Sequence, residues 1–278
     1  MVKKIVFGNF KGGVGKTTNS VMFSYELAKE GYKVLLCDLD PQANSTQLLN
    51  RTYRRQHGEP LDIDKTMMVA IQENDLEPSV VEIMDNLFLL PSNKDFVDYP
   101  DYLELTFPPD VPDYKETRIA HFSNLLSEIE DQYDLIIIDC PPTISIYTNS
   151  AIYSSDLIVV VLQTQQRSLD GALAFWEYAQ TFYNKYENVD FGIAGILPVL
   201  MKNDSGVDNQ IIKDSIEIFG TKNVFSNIVK HRDRLKRYDR EGIADPDITD
   251  TWDYHDKRIH ELYSAIANEF IERIEVED

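Results

Sequence analysis

Residues 3–18 read KKIVFGNFKGGVGKTT: an apolar run, a glycine-rich turn with two lysines, and paired threonines opening a stretch of helical period. Gly12, Gly13 and Gly15, with Val14 among them, let backbone N–H groups curl around an anion with no Cβ in the way. The helix that follows aims its dipole and unpaired amides at the same point. Lys16 is then placed to reach the β- and γ-phosphates of a nucleotide, and the Thr17 hydroxyl to bind Mg²⁺. The literal Walker A spacing, G-x-x-x-x-G-K-[ST], is not met. Phe10 stands where its first glycine belongs, and a second lysine, Lys11, begins the form K-G-G-x-G-K-[ST]-[ST]. A glycine-rich turn with incidental lysines is the plainer alternative; the order strand, turn, lysine, hydroxyl, helix argues against it.

Outward from this loop, β-branched apolar runs alternate with helical periods. The pattern predicts strands over 4–7, 33–38, 87–90, 134–139, 156–162, 191–199 and 223–228. It predicts helices over 17–30, 67–73, 117–130, 145–154, 168–186, 208–219 and 256–274. Unbroken apolar strands such as LIIID suggest a sheet buried on both faces. Strand–helix alternation gives an α/β fold with a doubly wound, mostly parallel sheet flanked by helices. Gly31 closes the first helix as a C-terminal cap. Residues 51–64 and the proline-rich 95–115 break the pattern and read as surface excursions.

Two carboxylate sites fall at strand ends, where open α/β sheets bind ligands. LLCDLDPQAN places Asp38 and Asp40 after the second strand, and DLIIIDCPP ends another with Asp139, a Walker B-like carboxylate for Mg²⁺. In isolation each aspartate could also be a strand-end or helix-capping residue; the loop beside them weakens that reading. With 278 residues, 43% of them hydrophobic, the chain can bury a substantial core. The two cysteines, Cys37 and Cys140, end apolar runs and give no disulfide framework, which suits a reducing cytoplasm. No signal peptide or membrane-spanning run is evident. The net charge of −20 opposes a general affinity for nucleic acid, so any such contact needs a local basic patch.

With these residues in view, the chain resembles the ParA/MinD family of partition and positioning ATPases, and within it the ParA branch. KGGVGKTT, DLDPQANST and DLIIIDCPP carry the likeness, with weaker matches through GILPVLMKND and VFSNIVKHRDRL. The resemblance implies the P-loop NTPase fold in a single domain over residues 1–278. It also implies an ATP- and Mg²⁺-dependent ATPase that segregates plasmid or chromosomal DNA as a homodimer. Lys11 matches the signature lysine that contacts nucleotide phosphates across a sandwich dimer; Lys16, Thr17 and Thr18 match the phosphate and metal residues. Asp40 matches the carboxylate that positions the attacking water, Asp38 its neighbour near the metal, and Asp139 the Walker B residue. Asn203 lies where family members recognise adenine. A lysine lent across a dimer neutralises the γ-phosphate only when two subunits meet, so nucleotide state would control pairing, with residues 41–46 and 140–143 as moving segments. The implied partners are non-specific double-stranded DNA and a centromere-binding adaptor with a basic activating segment. The implied location is the cytoplasm, on the nucleoid.

The basic patch is KHRDRLKRYDR, residues 230–240. It carries Lys230, Arg232, Arg234, Lys236, Arg237 and Arg240 against Asp233 and Asp239, a local charge of +4. In ParA-type proteins a basic surface in this region contacts DNA phosphates; a solvated charged loop is the bland alternative. Arg51, Arg54 and Arg55 form a smaller cluster that reads as surface. A MinD-like membrane ATPase is the first rival, but the last helix ends IERIEVED, which anionic lipid repels. Its stripe of Ile259, Leu262, Tyr263, Ile266, Phe270 and Ile274 is more simply packed on the sheet. A replication or copy-number regulator that uses ATP only as a conformational ligand is the second rival.

Overall fold

The apolar strands place odd and even residues on opposite faces, and both faces are covered. The computed structural model describes residues 2–201, 206–246 and 252–277. Its strands are β1 (Lys3–Gly8), β2 (Val34–Asp38), β3 (Val81–Met84), β4 (Leu87–Leu90), β5 (Leu135–Asp139), β6 (Leu157–Gln163), β7 (Gly192–Met201) and β8 (Val229–Lys230). Its helices are α1 (Lys16–Lys29), α2 (Asn44–His57), α3 (Met67–Glu73), α4 (Tyr99–Thr106), α5 (Tyr114–Ser127), α6 (Ile146–Tyr153), α7 (Gln166–Lys185), α8 (Gly206–Phe219), α9 (Asp233–Glu241) and α10 (Tyr254–Glu277). They form one sheet in the order β3-β4-β2-β5-β1-β6-β7-β8, parallel except for the β3–β4 pair. This is the P-loop NTPase fold expected from the sequence.

Val6, Ile136, Ile138 and Val160 face a layer that includes α3, α5, α6 and α7; Ile5, Phe7, Ile137 and Val159 face α1 and α10. The apolar stripe of α10 lies on this second layer, with Ile259, Tyr263, Ile266 and Phe270 buried. Phe270 meets Phe23 of α1 edge-on at 5.1 Å between ring centroids. Each such side chain contributes roughly 1.5–3 kcal/mol by leaving water. Helix α1 ends as expected: Gly31 has φ +97°, and the amides of Gly31 and Tyr32 bond back to Ala28 and Leu27.

Three expectations need correction. The strand expected over 223–228 is a 3₁₀ turn, Thr221–Asn223, followed by the short β8. Val224 keeps one bridge to Ile196, but the amides of Ser226 and Asn227 bond to the Glu269 carboxylate of α10 instead of a neighbouring strand. The excursions at 51–64 and 95–115 contain helix: α2 runs through His57, and α4 takes Pro100 into its first turn, where no N–H is needed. The antiparallel edge strand β3, turned through Asn86 at φ +67°, was not expected.

Candidate functional site

The register brings three strand ends abreast, with Phe7 and Asp38 both level with Asp139. The loops after β1, β2 and β5 therefore leave the sheet at one place. They enclose a cleft of about 620 Å³ lined by residues that include Gly13, Gly15, Lys16, Thr17, Thr18 and Asp40. Gly13 and Gly15 hold φ +73° and +89°, which side chains other than glycine's rarely allow. The Asn19 side chain braces the turn by donating to the Gly15 carbonyl at 2.7 Å, and Tyr263 of α10 donates to Asn19 at 2.9 Å. Lys16 is buried at the start of α1.

The two strand-end aspartates are both buried but held differently. Asp38 Oδ2 accepts from the Thr46 amide and hydroxyl, both at 2.8 Å, and Oδ1 accepts from the Asp40 amide at 3.2 Å. Asp38 thereby brackets the loop that leads into α2. Asp139 Oδ2 accepts from the Ser45 hydroxyl at 2.6 Å, while its Oδ1 is buried without a hydrogen-bond partner. Burial, then the neighbouring Asp139 carboxylate, pushes the Asp38 carboxyl up. Burial raises Asp139 too, against the Ser45 bond, the nearby Thr17 hydroxyl and the Lys16 charge. An orphaned carboxylate oxygen beside a hydroxyl, among buried negative charge, is an environment that a hard divalent cation relieves. Thr17 and Asp139 therefore fit Mg²⁺, whereas Asp38 already spends three hydrogen bonds on its own loop. Among the described residues no group of three or more His, Cys, Asp or Glu side chains could hold a metal.

Asp40 sits in the cleft, its Oδ1 accepting from the Gln42 amide at 2.9 Å. Lys11, Gly12 and Val14 do not line the cleft. Lys11 is half-buried, with its amide and Cβ beside Gly171 of α7. Cys37 and Cys140 are free and buried, and burial pushes both thiols up, so they are poor nucleophiles. Asn9 and Asn19 were not singled out in the sequence, and Ser45 and Thr46 entered only as part of the expected moving segment 41–46. Only the capping habit of small polar residues near strand ends and helix starts points to them.

The basic stretch is mostly helix α9, docked beside the cleft. Arg232 and Lys236 line the cleft wall, with Leu200, Val229 and Leu235 as its apolar part. Arg234 pairs with Asp253 and Asp256, Arg237 with Glu241 and Lys236 with Asp233. Lys230 and Arg240 are exposed, with no ion-pair partner among the described residues. The cluster read as surface charge anchors this helix: Arg51 donates to the Asp239 carbonyl at 2.5 Å and Arg55 to the Gly242 carbonyl at 2.8 Å. Asn203 lies outside the described residues.

A family model described as AAA domain matches residues 2–193. The chain is 28% identical over 247 residues to the sporulation initiation inhibitor protein Soj of Bacillus subtilis, covering 87% of this chain and 89% of that one. It is 27% identical over 243 residues to the chromosome-partitioning ATPase Soj of Treponema pallidum, covering 87% and 88%. Among solved structures, the Cyanothece McdA–ATP complex superposes with a TM-score of 0.77 at 18% identity, covering 96% of each chain. A putative plasmid partition protein from Borrelia burgdorferi bound to AMPPNP superposes with a TM-score of 0.71 at 20% identity, covering 100% of each.

Proposed function

The chain belongs to the AAA domain family, in its ParA-type branch, and from that premise we propose that it is a DNA-segregation ATPase whose ATP-bound dimer binds DNA. The observation that carries this reading is one cleft in which the phosphate loop and Asp40 meet beneath a basic helix, with an orphaned, buried Asp139 oxygen behind it near Lys16. Phosphoryl transfer asks a protein mainly for positioning and charge neutralisation. Lys16 and the loop amides hold the phosphates, and Thr18 adds its hydroxyl. Thr17 and Asp139 would hold Mg²⁺, which would offset phosphate charge. Asp40, fixed by its bond to the Gln42 amide, orients the attacking water.

Lys11 does not line its own cleft; in this reading it reaches the nucleotide of a second subunit, so ATP favours the pair and hydrolysis loosens it. Lys230, Arg240 and the cleft-wall residues Arg232 and Lys236 offer the charge for sequence-independent phosphate contacts. An adaptor with a basic segment suits the acidic remainder of the surface. Supporting DNA over membrane, the apolar face of α10 is already packed on α1, and its last turns carry Glu272 and Glu275. No helix among the described residues is long and apolar enough to cross a membrane.

The deciding experiment titrates double-stranded DNA with ATP, ADP or no nucleotide at two salt concentrations. Binding that requires ATP and falls steeply with salt is expected; indifference to nucleotide would sink the reading. Turnover that is absent even with DNA and adaptor present would leave the copy-number regulator instead.

A further inference from the structure

Lys11 and Lys16 stand five positions apart on one loop, yet separate parts of the fold anchor them. Lys16 starts α1, and Asn19 together with Gly15 fixes that turn. On the Lys11 side the anchor is Asn9, which is 1% exposed. Its Oδ1 accepts from the Lys11 amide at 2.7 Å. Its Nδ2 donates to the Val161 carbonyl of β6 at 2.8 Å and, at 3.4 Å, to the Ser168 carbonyl of α7. A carboxamide offers an acceptor and two donor hydrogens at once, whereas a hydroxyl has a single proton; aspartate would set an anion against two carbonyls, and leucine would remove all three bonds.

The opposite wall leaves no slack. A Cβ added at Gly171 of α7 would lie 2.8 Å from Asn9 Oδ1, 3.4 Å from Lys11 Cβ and 3.5 Å from the Lys11 nitrogen. One added at Gly8 would fall 2.1 Å from the Phe175 ring. Helix α7 therefore presses against the end of β1 and the start of the loop at Gly8, Asn9 and Lys11.

We propose that Asn9, backed by Gly171, is a positioning residue that sets the backbone of Lys11 and so aims this lysine out of its own cleft. Lysine loses considerable rotamer freedom when it is held in one place, and a fixed root lessens what remains to be ordered when two subunits meet. The proposal rests on the reading above, in which Lys11 serves the partner's nucleotide. It separates two properties of the loop: Asn9 governs the step that depends on Lys11 and leaves ATP capture by Lys16 and Thr17 intact.

The test uses the full chain with Mg²⁺ and ATP, comparing Asn9→Ala, Lys11→Ala, the double variant and Gly171→Ala. Nucleotide affinity is read by titration with a fluorescent ATP analogue, pairing by sedimentation, and turnover by phosphate release. Asn9→Ala is expected to keep affinity within about threefold and to lower turnover roughly tenfold to a hundredfold with loss of the ATP-dependent dimer. The double variant should be no worse than Lys11→Ala alone. Gly171→Ala, which suits a helix and so tests the contact if Asn9→Ala misfolds, should move the same readouts in the same direction. Equal losses of affinity and turnover in Asn9→Ala, additive effects in the double variant, or a silent Gly171→Ala would overturn the proposal. A silent Lys11→Ala would instead remove the underlying reading.

Discussion

At the centre of the sheet, Lys16, Asp38 and Asp139 are buried, and fixed protein groups hold the loops that carry them. In the basic stretch 230–240, most of it α9 at the edge of the cleft, the charges are mostly exposed, and half of the six basic residues named in the sequence are engaged by neighbouring acids. The first region organises charge around a ligand. The second offers a surface whose free charge is smaller than its composition suggests. A residue's type announces chemistry reliably where the backbone forces its surroundings, and poorly where any nearby acid can answer it.

The largest expected effects lie at the centre. Asp40→Ala should reduce ATP turnover on the order of 100- to 1,000-fold, the size typical of removing one preorganised group, with ATP binding retained by calorimetry. If a single α9 substitution lowers turnover as much, the division between the regions fails. Ser45→Ala should come next. It frees the second oxygen of Asp139 and should weaken Mg²⁺-dependent turnover about tenfold, as loss of a supporting hydrogen bond does. A magnesium titration of activity checks it, and an unchanged half-saturation point would mean that Asp139 needs no such support.

The same contrast marks what was readable in the chain. The convergence of residues 11–18, Asp40 and Asp139 at one edge of the sheet was legible because glycine, lysine, hydroxyl and carboxylate clustered at strand ends have few other uses. Helix α2 was hidden because its buried face relies on Ser45, Thr46 and Thr52 beside Leu48 and Leu49, too polar to show an apolar period. Helix α9 buries only Leu235 and Tyr238, so its nine residues read as a charged loop. Strand β3 buries one residue, Ile83, fully. The roles of Arg51 and Arg55 lie in bonds to residues 188 and 187 positions away, which no local pattern encodes.

Within the basic stretch the comparison can be sharpened by separating free from engaged charge. Lys230→Glu and Arg240→Glu should each weaken DNA binding and shrink the slope of log affinity against log salt by about 1 or more. Arg234→Ala should behave differently. Its partner Asp256 is fully buried and already takes the Tyr238 hydroxyl at 2.7 Å. Losing the guanidinium should cost about 2 kcal/mol of stability, a fall of roughly 4–8 °C in Tm, with little change in the salt slope. A thermal melt unchanged by Arg234→Ala, beside a large loss of slope, would return this arginine to the DNA-facing set.

The smallest expected effect sits where the two regions touch. The Thr18 hydroxyl of the phosphate loop donates to Asp239 of α9 at 3.3 Å, and both residues line the cleft. A hydroxyl has one proton to give, so a bound phosphate and this carboxylate compete for it. The carboxylate also sets a negative charge near the triphosphate. Asp239→Asn keeps an acceptor for Thr18 and removes the charge. At the separations and partial hydration of such a cleft, that repulsion is on the order of 0.5–1 kcal/mol. ATP should therefore bind roughly two- to fivefold tighter by calorimetry, with the gain shrinking at high salt. If affinity falls instead, the carboxylate holds part of the nucleotide, and α9 then binds the ligand and does not merely wall the cleft.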